Sequence, residues 1–195
     1  MKRIKSHFQE KEPILEKFLQ KLRFQKVIPF VKNRDRVLDL GCGYKGALLK
    51  KISPKIEDGL GVDISVTNKK IANNITLVSN KKGNIYIPQN HFDLAISLAV
   101  IEHLNNPLDL VKKVYKSLKK GGTLLITTPS PTAKPILEFL AYKVGVISKQ
   151  EIKDHKKYYN KEKIRILLKN AGFNMRGIKI EYFLLGLNTL AIAKK

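Results

Sequence analysis

Apolar positions along the chain follow two periods. From about Glu12 to Phe30, Ile14, Leu15, Phe18, Leu19 and Leu22 recur at helical spacing, and Pro13 suits a first turn, so this stretch predicts a leading helix. Short, nearly continuous apolar runs then predict buried strands over Asp35–Leu40, Gly59–Asp63, Ile75–Val78, Phe92–Ser97 and Thr123–Thr127. Helices are expected over Lys45–Ile52, over a short stretch ending near Ala72, over Pro107–Leu118 and over Lys161–Asn170. The polar, glycine-containing stretch Asn80–Asn90 reads as a loop. Two further runs, near Met175–Phe183 and Leu187–Ala193, are joined only by Leu184–Gly186 and should pair antiparallel.

Strands alternating with helices imply an α/β fold with a doubly wound, largely parallel sheet. At 195 residues and 43% hydrophobic content, the chain is expected to form one domain, residues 1–195. Residues 1–34 would be a leading helical segment. The connection 129–160 is too long for a plain linker. Its core, Ala133–Ile147, is apolar over much of its circumference, with Glu138 and Lys143 charged. It reads either as a helix packed over the sheet end or as a lid that shapes an apolar acceptor pocket or touches a membrane. The start, Met1 to His7, leads into a charged helix, and no apolar run is long enough to span a bilayer. A cytoplasmic protein is expected, with peripheral membrane contact as the variant.

The chemistry concentrates at Val37-Leu38-Asp39-Leu40-Gly41-Cys42-Gly43-Tyr44-Lys45-Gly46, a strand running into a Gly-x-Gly-x-x-Gly turn. Such glycines let the turn tighten and let a ligand approach bare backbone. A dehydrogenase-type dinucleotide site has the same spacing. However, a carboxylate at Asp39 would oppose a pyrophosphate and would welcome a cationic cofactor without phosphate, such as S-adenosylmethionine. Asp63 ends the next strand about 20 residues past Gly43, the offset at which an acid takes ribose hydroxyls. The alternative is that Asp63 caps a helix starting near Ser65.

These residues resemble those of the class I S-adenosylmethionine-dependent methyltransferases, in particular their substrate-diverse, type 11-like group. His91-Phe92-Asp93-Leu94-Ala95-Ile96-Ser97 looks like that family's fourth strand, and Val100-Ile101-Glu102-His103-Leu104 resembles its "L-E-H-L" segment. Leu118-Lys119-Lys120-Gly121-Gly122 through Pro129 resembles the "L-K-P-G-G" turn and fifth strand; Leu167 to Phe173 resembles the final helix and "A-G-F" turn. The resemblance implies a Rossmann-like seven-stranded sheet, mostly parallel with a reversed last strand and helices on both faces. It also implies S-adenosylmethionine as cofactor and S-adenosylhomocysteine as product. Asp39 would orient the methionine amino group, and Gly41 and Gly43 would give the cofactor room. Asp63 would hold the ribose and Ile64 would pack on adenine. Asn80 stands where many relatives carry an acid facing the adenine amino group; its amide oxygen can accept the same bond, or it is simply a turn residue. Ser97 and Leu98 would line the methionine side. Tyr44 either closes over it or packs at the surface.

Transfer needs an aligned nucleophile and, for some acceptors, a base. His103, just past the fourth strand, is the leading base candidate, its alternative being a packing histidine; Glu102 is second, its alternative being a solvated side chain. His155 can enter from the lid side. The chain holds one cysteine, Cys42, read as a small filler in the cofactor turn, so a cysteine metal cluster is ruled out and no metal site is expected. The charge, +22, is spread as lysine pairs with little arginine, no basic tail and no aromatic–basic repeat. Solvated helix faces explain it; a functional anion surface, whether membrane lipid or RNA, is the alternative. The expected acceptor is a small molecule or a lipid- or glycan-linked intermediate, ahead of nucleic acid or protein. A non-catalytic cofactor-binding protein of this fold is the remaining reading.

Overall fold

The computed structural model describes residues 14–81, 83, 85–144 and 152–195. Expectations resting on Glu12, Pro13 and the end of the apolar stretch at Val146 and Ile147 lie outside those residues. The chain runs α1 (Ile14–Val27), β1 (Arg36–Leu40), α2 (Ala47–Ile52), β2 (Asp58–Asp63), β3 (Lys69–Ala72), β4 (Ile75–Ser79), β5 (Phe92–Leu98) and α3 (Pro107–Ser117). It continues through β6 (Leu118–Pro129), α4 (Ala133–Phe139), α5 (Lys161–Ala171), β7 (Ile178–Phe183) and β8 (Asn188–Lys194). The strands form one sheet in the order β3-β4-β2-β1-β5-β6-β8-β7.

The five strands from β4 to β6 run parallel, and β8 lies antiparallel between β6 and β7. That is the expected seven-stranded, mostly parallel arrangement with a reversed last strand. An eighth strand is added at one edge. The short helix expected to end near Ala72 is instead β3, which turns back through Asn73–Asn74 and pairs antiparallel with β4. Asn74 fixes that turn: its Nδ2 donates to the carbonyls of Ser53 and Ile56, both at 2.9 Å. So short a segment, with β-branched Val66, Thr67 and Ile71, gains too few bonds to offset the cost of a helical nucleus, whereas the edge of β4 offers it a ladder.

Alternation along β1 divides the core. Leu38 and Leu40 pack on the face covered by Val111 and Val114 of α3 and Ile164, Leu167 and Leu168 of α5. Val37 packs on the other face with Val27 of α1 and Leu48, Leu49 and Ile52 of α2. Asp39, two residues past Val37, therefore points to the α1–α2 side. The leading helix stops at Val27 and passes into a single 3-10 turn, Ile28–Phe30, where Pro29 has no N–H to continue the ladder. Phe18, placed by periodicity on the buried face, is half exposed, and Phe24 and Val27 carry the contact with the sheet.

Beyond β6, α4 passes into a π-helical turn, Leu140–Val144. The β7–β8 turn carries Leu184 and Leu185, both with φ 53. Left-handed backbone costs a leucine roughly 1–2 kcal/mol. The turn is anchored against the start of α4, because the Gly186 carbonyl accepts from Ser130 Oγ at 2.6 Å and Thr132 Oγ1 at 3.1 Å.

Candidate active site

Strand order reverses between β2 and β5 on either side of β1, and the glycine turn leaves the carboxyl end of β1 at that point. Gly41, Gly43 and Gly46 have φ of 77, 66 and 58. A Cβ on Gly41 would fall 2.2 Å from Val100 Cγ2, so packing against the segment after β5 already demands glycine there. Gly43 is different: a Cβ would meet nothing within 4 Å, so its backbone faces open space. Its N–H donates to Asp63 Oδ2 at 2.9 Å.

Asp63 Oδ1 accepts from the backbone N–H and the hydroxyl of Ser65, at 2.7 and 2.6 Å. The local bond to Ser65 is present, but the helix it was expected to cap is not. Three donors occupy a carboxylate that offers about four acceptor sites, so capacity remains for a ligand hydroxyl. Asp39 is buried beside a cavity of about 90 Å³ that is also lined by Gln20, Arg23, Gly41, Gly43 and Leu98. Burial, then the nearby Asp63 charge, pushes its carboxyl up to about 7.

The remaining expected residues gather around the same strand ends. Ile64 is 67% exposed beside Asp63, an apolar side chain open to a flat ligand. Asn80 Oδ1 and Ser97 Oγ are buried without a hydrogen-bond partner among the described residues, which suits groups kept for a polar ligand. Tyr44 is exposed at the turn, with Lys45 Nζ 4.9 Å over its ring. Cys42 is buried, and burial raises its thiol well above the usual range, so a nucleophilic thiolate is disfavoured. The cradle thus fits a cofactor with a cation, two ribose hydroxyls and an adenine ring.

A second cavity of about 150 Å³ adjoins the first and shares Gln20 and Arg23 with it. Glu102, His103 and His155 line it. Glu102 is fully buried, which overturns the solvated alternative. Its Oε2 accepts from Thr128 Oγ1 at 3.0 Å, and its carbonyl takes the N–H groups of Lys156 and Lys157. Burial pushes its carboxyl up to about 7. His103 stacks edge-on with His155, ring centroids 4.8 Å apart, and His155 Nδ1 lies 3.1 Å from Tyr158 OH. Burial lowers both imidazoles, His155 to about 4, so both are neutral at pH 7. The Asp154 backbone and carboxylate work against that lowering of His103 without reversing it. Ligating atoms of Glu102, His103 and His155 lie within 4.8 Å of one another, a set capable of holding a metal ion that the cysteine count did not anticipate. The positive charge of Arg23, felt by all three groups, works against a cation there.

Arg23 and Gln20 are the residues that sequence reasoning missed. The signal was available: Arg23 continues the stripe Leu15–Leu19 at helical spacing, a charge on an otherwise apolar face.

A family model described as a methyltransferase domain matches residues 8–177. A tRNA (carboxymethyluridine(34)-5-O)-methyltransferase of Schizosaccharomyces pombe is 33% identical over 131 residues, 63% of this chain and 52% of that protein. The mitochondrial ubiquinone biosynthesis O-methyltransferase of Rattus norvegicus is 24% identical over 163 residues, 73% of this chain and 45% of its own. The chain thus spans about half the length of these curated relatives. Among solved structures, a SAM-dependent methyltransferase from Archaeoglobus fulgidus superposes with a TM-score of 0.67 at 22% identity, covering 91% of this chain and 94% of its own. With the glycine turn, the two strand-end carboxylates and this fold in place, the chain belongs to the methyltransferase-domain family.

Proposed function

We propose that the chain acts as one methyltransferase domain that methylates a small-molecule, lipid-linked or glycan-linked acceptor seated beside Glu102, His103 and His155. The observation that carries this reading is the junction of the two cavities at Gln20 and Arg23, which sets the cofactor cradle against a partly open pocket lined by two neutral imidazoles. Bound S-adenosylmethionine supplies a methyl group made electrophilic by its sulfonium. Asp39 takes the methionine ammonium, Asp63 the ribose hydroxyls, and Asn80 Oδ1 the adenine amino group, with Ile64 against the ring. Ser97 and Leu98 line the methionine end. His103 accepts the acceptor's proton on a ring nitrogen, and residues 129–144 and 152–160 close the acceptor side.

Asn80→Ala is expected to weaken S-adenosylmethionine binding about 2- to 10-fold in calorimetry, the range of one ordinary hydrogen bond. Unchanged affinity would leave Asn80 as a turn residue.

A second reading, an RNA acceptor, draws on the yeast tRNA methyltransferase and on the +22 charge. Transfer of labelled methyl from S-adenosylmethionine to total RNA and, separately, to a small-molecule and lipid extract decides between them. Label in the extract is expected. Salt-sensitive label in RNA would replace the first reading with the second. No helix among the described residues is long and apolar enough to cross a membrane.

A further inference from the structure

The histidine pocket has an apolar neighbour. A groove of about 240 Å³ runs between α4 and the β7–β8 turn, lined by residues that include Leu15, Ile136, Leu140 and Leu187. It shares Leu19, Arg23, Pro129 and Leu137 with the pocket of His103 and His155, so the two cavities meet along a common wall. Arg23 stands at that junction. A molecule spanning both would therefore place a polar head at the imidazoles and an apolar body in the groove.

The groove's rim is apolar as well. Leu185 is fully exposed at the tip of the β7–β8 turn, and Ile136 opposite it is 42% exposed. Phe139, Tyr142 and Val144, further along the same helical segment, are also exposed. The two left-handed leucines make this arrangement hard to read as incidental. A strained backbone persists only where its surroundings hold it, and here Ser130 and Thr132 lock the turn beside α4. Scattered surface leucines need no explanation, but a cluster around the mouth of a groove marks a contact surface. Lys134, which pairs with Glu138 at 4.0 Å, and Lys143 flank the patch, in a chain of net charge +22. An apolar rim with lysine flanks complements an anionic lipid surface.

We propose that the acceptor is a membrane-resident amphiphile. Its head sits beside His103 and His155, its tail lies in the α4/β7–β8 groove, and it is drawn from an anionic bilayer on which Leu185 and the α4 rim rest. This rests on the small-acceptor reading above and narrows it to one class. It also gives the charge a role that solvated helix faces alone do not.

The test uses the full chain and two probes: vesicles of phosphatidylcholine with or without about one third phosphatidylglycerol, and cis-parinaric acid, a fluorescent fatty acid. The chain is expected to sediment with the anionic vesicles and not with the neutral ones, and to bind cis-parinaric acid. Phe139→Glu, exposed on the rim and outside the groove lining, should weaken vesicle binding at least about tenfold while leaving the fatty-acid affinity in place. Ile136→Arg, at the groove mouth, should weaken both by a similar factor. Calorimetric S-adenosylmethionine binding, measured on each variant, reports that the fold and cradle are intact. Wild-type indifference to the anionic vesicles would overturn the proposal. So would a self-association that Phe139→Glu abolishes, since a second copy would then cover the patch. Label transferred only to a water-soluble acceptor, without vesicle binding, ends this proposal and spares the small-acceptor reading. Label transferred to RNA ends both.

Discussion

Asp39→Asn is expected to make the cofactor-free protein more stable and to remove most of its affinity for S-adenosylmethionine. The two effects share one cause. Asp39 is buried, and its carboxyl is raised from the usual 3.8 to about 7, so the native state binds that proton more tightly than the unfolded chain does. By linkage, ionising Asp39 subtracts from stability: the penalty is absent below the unfolded value, grows as pH rises towards 7, and is complete above it. Replacing the carboxylate with a neutral amide removes a penalty on the order of 2–4 kcal/mol at pH 8. The same substitution takes away the charge that would meet a ligand ammonium. Losing one partner of a buried charge pair typically costs about 2–5 kcal/mol, or roughly 30- to several-thousand-fold in Kd. Near pH 7 a bound cation should also drive Asp39 to ionise and release roughly half a proton, visible by calorimetry in buffers of different ionisation enthalpy. A variant that melts lower than wild type, or binds within about threefold of it, would show that Asp39 does something else.

His103→Ala is expected to lower kcat by about 10²- to 10⁴-fold, the usual worth of a positioned base, with S-adenosylmethionine affinity unchanged. A packing histidine would behave in the opposite way, lowering the melting temperature and sparing kcat. The pH profile sharpens the choice. Burial depresses His103 below 6.5, so kcat at saturating cofactor should hold through neutral pH and fall only as the ring protonates below that value. Glu102, raised to about 7, would instead place the acid limb near 7. His155, near 4, stays neutral throughout and does not contribute to either limb. The midpoint of the acid limb therefore separates the two base candidates.

Much of this site is legible in the sequence because it is local. Asp39, Gly41, Gly43 and Asp63 sit at fixed offsets on two strands and their turns, and a parallel sheet brings such strand ends together without further information. The eighth strand was not legible. The segment from Ser65 to Ala72 has no clean period, and its conformation is decided by the open edge of β4 and by Asn74 bonding Ser53 and Ile56. Glu102 could be read as a second base or as a solvated acid beside a histidine; only the packing of residues 156 and 157 against its carbonyl and of Thr128 against its carboxylate makes it a buried one. Gly41 shows a subtler gap: its spacing pointed to a cofactor, yet its positive φ and the contact with Val100 already require glycine there.

By itself, the sequence determined the succession of strands and helices apart from β3, the glycine turn, and which carboxylates stand at the strand ends. These follow from periodicity and backbone stereochemistry, which act over a few residues. The tertiary structure decided what those groups are chemically. It buried Asp39 and Glu102 and so raised both towards 7. It set His155 against His103 across 52 positions of chain, brought Arg23 of the leading helix to the junction of three cavities, and opened an apolar groove beside them. Desolvation and proximity depend on which distant segments pack together, and no local pattern encodes them.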